Sequence, residues 1–353
     1  MAQQRQRVLI TGIAGKMAGK LAARLEADDR IEYIAGLDVH EPSYDLGRTE
    51  FVRADLRNPL VARIIDSTRV DTVVHLSLTA APSSAGGRSR MKELNVIGTM
   101  QLLAAAQKAD QLRKVIVKST TAVYGSNFAD PALFREDVAP GGAPRSGYSK
   151  DAVEVEGYAR AFGRRRPDVS LSILRFANFI GPSVDSPLTN YLALPVVPKV
   201  LGYDPRLQLC HEDDAVEVLF RSVVAEHPGI YNVAGPGIIY LSQAMRLAGK
   251  PTIPVALPFV QGIATALRRA GRVDFSPDQL QFLQFGRVGD ITRLRTAFDF
   301  EPAYSTRAAF EDFLASGRIA PLVERDTVRA WERGLYDLLT RSGDGDPASK
   351  VRA

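Results

Sequence analysis

Short apolar runs alternate with segments of helical periodicity through the first half of the chain. Residues 7–11 (RVLIT) stop at a glycine, and Met17, Leu21 and Leu25 then recur at helical spacing across 15–27. Residues 33–38, 50–54, 72–76 and 114–119 read as further strands, with an Ala/Leu-rich helix over 92–109 before the last of them. A helix over 148–164 precedes a sixth strand at 170–176 (SLSILRF). Strands that are apolar along their length and separated by helices predict a parallel sheet covered on both faces, with right-handed crossovers. The expected fold is therefore α/β, a doubly wound parallel sheet.

The rhythm changes after Gly181. Prolines at 182, 187, 195, 198 and 205 interrupt regular structure before a strand returns at 230–233. This divides the chain into a main domain at 5–180 with returns near 207–235, and a smaller lobe, mainly 181–330, over the carboxyl ends of the sheet. Residues 251–267 (PTIPVALPFVQGIATAL) are distinctly apolar and read as lobe core, a hydrophobic wall or a partner-binding helix. Residues 343–353 (GDGDPASKVRA) read as a disordered tail.

Composition narrows the class. Of 353 residues, 45% are hydrophobic and 24% charged, which fits a globular protein and excludes wholesale disorder. A single cysteine excludes an internal disulfide and a Cys-rich zinc site. The polar start MAQQRQR and the lack of a long apolar run predict no signal peptide and no transmembrane segment, hence a cytoplasmic location. The net charge of +5 is spread along the chain, and its one dense block, Arg164 to Arg166, suits a helix C-terminus. No nucleic-acid partner is expected.

The turn after the first strand carries the first chemistry. In TGIAGKMAG at 11–19, Gly12 permits a tight turn and Gly15 a close backbone approach, with Ala18 as the third small position. The free N–H groups of the following helix start suit a pyrophosphate, and Ile13, Ala14, Lys16 and Met17 join the glycines as cofactor-binding candidates. Asp38 ends the second strand, 26 residues after Gly12, where an acid accepts hydrogen bonds from ribose hydroxyls and repels a 2′-phosphate. This favours NAD over NADP. Asp55 and Leu56 are weaker candidates for the adenine edge.

With these motifs go VVHLS at 73–77, ELNVIGT at 93–99, KSTTAVYG at 118–125, SKDAVE at 149–154, LRFANFIGP at 174–182, LQLCHEDDA at 207–215 and GIYNVAG at 229–235. In order and spacing the chain resembles the extended short-chain dehydrogenase/reductase family, in its NAD-dependent epimerase/dehydratase branch, over roughly residues 5–320. The resemblance implies a Rossmann-type sheet, a C-terminal lobe for a nucleotide sugar or a related secondary alcohol, and a homodimer through helices 92–109 and 148–164. It implies that Gly12, Gly15, Asp38, Asp55, Leu76, Asn95 and Lys150 contact NAD. Thr120 falls at the catalytic Ser/Thr position, and Asn178 where many members touch the substrate diphosphate.

One departure bears on the chemistry. Family members carry a tyrosine four residues before the lysine; its phenolate takes a hydroxyl proton as hydride leaves. Here Ser146 stands four residues before Lys150. Tyr148 is two residues away, about 200° around a continuous helix, unless Gly147 distorts the first turn. Ser146 reads as a helix cap or a weak substitute. Tyr124 and His75 read as structural first, and the direction of Lys118 is open. His211 with Asp213 and Asp214 suggests a metal pair, but no third ligand has credible spacing, so no metal is expected.

Two readings follow. One is an epimerase/dehydratase-like enzyme with a proton relay through Thr120 and Lys150 and an unconventional acid/base from Tyr148, Ser146 or an ordered water, with an apolar-alcohol dehydrogenase as a variant. The other is an NAD(H)-binding regulatory or scaffold protein of little or no turnover.

Overall fold

A computed structural model describes residues 5–80, 86–138, 144, 147–269 and 277–321. The first half alternates β1 (Gln6–Thr11), α1 (Lys16–Glu26), β2 (Ile31–Asp38), β3 (Glu50–Arg53), α2 (Leu60–Thr68) and β4 (Thr72–His75). Helix α3 (Arg88–Lys92) then runs through a π turn at Glu93–Ile97 into α4 (Gly98–Gln107). Next come β5 (Lys114–Thr120), a 3₁₀ turn at Thr121–Tyr124, α5 (Gly147–Arg165), β6 (Ser170–Phe176) and β7 (Asn178–Ile180). The second half continues with α6 (Pro187–Leu192), β8 (Val197–Val200), β9 (Arg206–Leu207), β10 (Leu209–His211), α7 (Glu212–Val224) and β11 (Gly229–Val233). It ends with β12 (Ile239–Tyr240), α8 (Leu241–Leu247), β13 (Thr252–Val255), α9 (Leu257–Arg269), α10 (Pro277–Phe285), α11 (Thr292–Thr296) and α12 (Thr306–Ala315).

Seven parallel strands form one sheet in the order β3-β2-β1-β4-β5-β6-β11. Strand alternation assigns neighbouring residues to opposite faces. Ile10, Val74, Ile116 and Leu174 pack against Leu21 and Leu25 of α1 and Leu219 and Val223 of α7. Leu9, Val73, Val115 and Ile173 pack against Leu102 and Ala106 of α4 and Val155 and Ala159 of α5. This is the doubly wound α/β sheet that the apolar runs predict. The order reverses between β1 and β4, and ligands of such sheets bind in the crevice at that point, beyond the carboxyl ends of the strands.

A third apolar cluster joins Tyr191 and Leu192 of α6, Leu207, Met245, Phe282 and the α12 residues Phe310 and Phe313. It carries three two-stranded pairings, β7 with β10, β8 with β13 and β9 with β12. The apolar run at 251–267 is not simply core. Val255 is buried, whereas Ile253, Leu257 and Phe259 are more than half exposed. No helix among the described residues is long and apolar enough to cross a membrane. Residues 343–353 lie outside the described residues.

Candidate active site

The glycine turn has the shape its sequence requires. Gly12 takes φ +77°, and a Cβ there would come within 3.1 Å of Ser77, so only glycine fits without strain. Gly15 precedes α1 with no side-chain cap, which leaves the helix start without a side-chain acceptor for its first N–H groups. Ile13 and Ala18 are buried against the sheet. Asp38 accepts the Ala14 N–H at 3.1 Å and the His40 N–H at 3.1 Å, so its carboxylate stands directly beside the turn. A cradle that a Cβ would fill, an uncapped helix start and an acid at the end of β2 together fit a dinucleotide.

The sequence gives no hint of Tyr44, 31 residues from Ile13, yet its hydroxyl donates to the Ile13 carbonyl and, at 3.3 Å, to that of Gly15. Burial, with the charge of Asp38, pushes the phenol up to about 12, so it stays a donor. Gly19 makes room for this ring, since a Cβ there would come within 2.4 Å of it.

The adenine-edge candidates are held by neighbours. Arg57 grips the Asp55 carboxylate through Nε at 3.0 Å and Nη2 at 2.6 Å, and these bonds hold its pKa down. Leu56 is buried beneath Gly98, and Leu76 is buried at the end of β4. Asn95, 1% exposed, sits in the π turn and clamps the irregular segment following β4, bonding the Thr79 N–H at 3.0 Å and carbonyl at 2.9 Å. The helix expected to run unbroken over 92–109 thus begins at 88 and is interrupted where this clamp is made.

Beyond the ends of β5 and β6 opens a cleft. Thr120, Tyr148 and Asn178 all line it, as do Lys118 and Arg287. Thr120 also caps the 3₁₀ turn by accepting the Ala122 N–H at 3.1 Å. Lys150 is not among the lining residues. Its Nζ lies 3.9 Å from Glu154, whose carboxylate is also 3.9 Å from Lys92. The divergence of Tyr148 and Lys150 follows from their offset of two within α5. Ser146 lies outside the described residues. Gly147, the first residue of α5, takes φ +72°, a conformation outside the right-handed helix.

The start of α5 is fixed by ion pairing. Arg88 grips the fully buried Asp151 through two bonds of 2.7 Å and donates to the Gly147 carbonyl at 2.8 Å. Deeper, Tyr124 is structural: its hydroxyl donates to Asn232 at 2.8 Å and accepts from Arg175 at 2.8 Å, and its ring stacks on Phe134. Arg175 in turn forks onto Glu156, with both bonds 2.8 Å.

His75 is buried between Thr11 at 2.7 Å and Thr99 at 2.8 Å. Burial first, then the charge of Lys118, lowers it to about 3, so the ring is neutral. His211 bonds Asp312 and stacks on Tyr304, while Asp214 accepts the Ala303 and Tyr304 N–H groups. Among the described residues no group of three or more His, Cys, Asp and Glu is placed to hold a metal ion.

Residues 8–234 match the NAD dependent epimerase/dehydratase family. The chain belongs to that family. An uncharacterized protein of Mycobacterium tuberculosis is 43% identical over 346 residues, 96% of this chain and 92% of the relative. Among solved structures, a UDP-glucose 4-epimerase of Thermotoga maritima, held with UDP-glucose, superposes with a TM-score of 0.68 at 18% identity, covering 88% of this chain and 98% of that one. A UDP-glucuronic acid 4-epimerase of Bacillus cereus, held with UDP-glucuronic acid and NAD, gives 0.67 at 19%, again covering 88% and 98%. These likenesses show the fold, and the cofactor of the family is NAD.

Proposed function

We propose that this epimerase/dehydratase-family protein oxidises a secondary alcohol of a nucleotide sugar and returns the hydride, through an active site without the family tyrosine. The observation that carries the reading is the charge of the cleft. Arg287 and Lys118 line it, and no carboxylate is among its described lining residues. That lining complements a diphosphate. Solved proteins of this fold hold UDP sugars.

In this reading Gly12, Ile13, Ala14, Gly15, Lys16 and Met17 cradle the pyrophosphate. Asp38 takes the adenosine ribose, and Asp55, Leu56, Leu76, Asn95 and Lys150 complete the NAD site. Bound there, NAD takes up and gives back hydride. Thr120 orients the reacting hydroxyl, Tyr148 walls the cleft, and Asn178 meets the diphosphate within a lobe formed mainly by 181–330. Ser146 stands where the family tyrosine would be. A homodimer through α4 and α5 belongs to the same reading, supported by the exposed apolar side chains of Ile97 and Tyr158. With no nucleic-acid contact or membrane span expected, the protein is assigned to the cytoplasm.

Calorimetry with UDP-glucose, UDP-glucuronic acid and dTDP-glucose in the presence of NAD is expected to show binding of at least one, with NADH absorbance appearing on the protein. Absence of binding by all three sinks the reading. Binding without NADH selects the second one, a non-turnover NAD(H) scaffold, which the pairing of Lys150 with Glu154 outside the cleft supports.

Asp38→Ala tests the cofactor choice. Removing the carboxylate removes its repulsion of a 2′-phosphate, so the ratio of NAD to NADP affinity is expected to fall about tenfold, about 1.4 kcal/mol. An unchanged ratio excludes Asp38 from ribose recognition.

A further inference from the structure

Lys118 is a cleft-lining cation to which the described fold gives no structural partner. It stands two residues before Thr120 on β5, so both side chains leave the same face of the strand. Ser119 between them turns the other way and donates to Glu156 of α5 at 2.6 Å. Lys118 lines the cleft together with Thr120, Tyr148 and Asn178. It is largely buried, yet no described residue hydrogen-bonds it or pairs with its charge. Resting on the function proposed above, we propose that Lys118 is the general base of this site, accepting the substrate hydroxyl proton from the end of β5 in place of a phenol at the start of α5.

The surroundings favour the neutral amine. Burial lowers its pKa to about 8, which leaves roughly a tenth of it unprotonated at pH 7. His75 of β4, near it but on the opposite face of the sheet between Thr11 and Thr99, is neutral; Tyr148 lines the same cleft from α5, and Arg287 from the segment after α10. No carboxylate is among the described residues that line the cleft. Lys114, also on β5, is the contrast. Its ammonium donates to the Val223 and Ala225 carbonyls at 2.6 and 2.7 Å and lies 3.4 Å from Glu226.

The step balances. The substrate O–H bond breaks and an N–H bond forms at Lys118 Nζ, while the carbinol hydride passes to NAD, the oxidant. Amine, alcohol and a cationic nicotinamide become ammonium, ketone and a neutral dihydronicotinamide. Net charge in the cleft is unchanged, so the proton moves without adding a buried charge. Return of proton and hydride regenerates the starting groups.

This charge exchange gives a readout that needs no turnover. Labelling of lysines with acetic anhydride across pH, read by mass spectrometry, is expected to give Lys118 a pKa near 8 in the cofactor-free protein. With NAD bound, a cationic ring nearby should lower that value, and with NADH the value should rise above that of the NAD complex. An ordinary lysine pKa, or one that NAD and NADH leave equal, overturns the proposal whether or not any sugar reacts. Where a nucleotide sugar does react, Lys118→Met is expected to keep NAD affinity within a few-fold and to cut kcat by about 10²–10⁴. Lys118→Arg should not restore it, because a guanidinium does not give up its proton. Turnover by Lys118→Met within twofold of wild type overturns the proposal while the function stands. Failure of every nucleotide sugar to bind overturns the function and leaves the labelling result to decide Lys118.

Discussion

Glu156→Ala is expected to destabilise the protein by about 3–5 kcal/mol in urea unfolding, the usual cost of removing one partner from a buried ion pair. Glu156 is 1% exposed and Arg175 is 7% exposed. The carboxylate accepts two bonds from Arg175, one from Ser119 and one at 2.8 Å from Arg160, and so joins α5 to β5 and β6. Alanine leaves the guanidinium buried with only the Tyr124 hydroxyl and the Glu136 carbonyl as acceptors. Replacing both partners by apolar residues, as in Glu156→Leu with Arg175→Met, removes the stranded charge as well and should recover much of the loss. A single-variant loss under about 1 kcal/mol at unchanged m-value would show that water reaches the guanidinium.

That pair was invisible in the sequence for a physical reason. Glu156 lies in a helix rich in charge and Arg175 near the end of an apolar strand, where each alone resembles a solvated residue. Only the packing of α5 across β5 and β6 buries them together. The strands themselves were legible, because burial on both faces demands unbroken apolar runs, and 7–11, 72–76 and 170–176 each fall within a residue or so of β1, β4 and β6. The π turn at 93–97 was not, because one extra residue in a helical turn barely disturbs apolar spacing. At the site, the glycine turn was legible because close backbone approach excludes side chains. Tyr44 was not, since an irregular loop brings it back onto Ile13. Lys118 was seen but not its direction: alternation gives two faces, and only the assembled cleft says which face a ligand meets.

The site is organised at three separate points by buried polar contacts rather than by its lining residues. Asn95 pins the segment beyond β4 at Thr79, Arg88 and Asp151 pin the start of α5, and Glu156 with Arg175 pins α5 to β5 and β6. The lining residues Thr120 and Lys118 hang from β5 and Tyr148 from the start of α5, so that part of the cleft inherits its rigidity from Arg88, Asp151, Glu156 and Arg175, none of which lines it. This separation means that loss of stability and loss of binding should be separable by substitution.

Gly12→Val is the substitution in which binding should suffer most. The residue sits at φ +77°, where an L side chain costs about 1–2 kcal/mol and a β-branched one is a marked outlier. Its Cβ would also meet Ser77 Cα and Oγ at 3.1 Å, pushing the turn away from the segment after β4. The Gly12 N–H now donates to the Leu37 carbonyl at 2.8 Å, so a shift of the turn also strains its tie to β2, one residue from Asp38. NAD affinity is expected to fall about 10- to 100-fold, about 1.4–2.8 kcal/mol. Gly15→Ala is the control: φ is −74° there and the added Cβ meets one carbonyl oxygen at 3.3 Å, so its loss should be clearly smaller. Calorimetry of both variants with NAD, below the melting range of each, decides the matter. If Gly12→Val binds NAD within threefold of wild type, the dinucleotide does not lie against this turn.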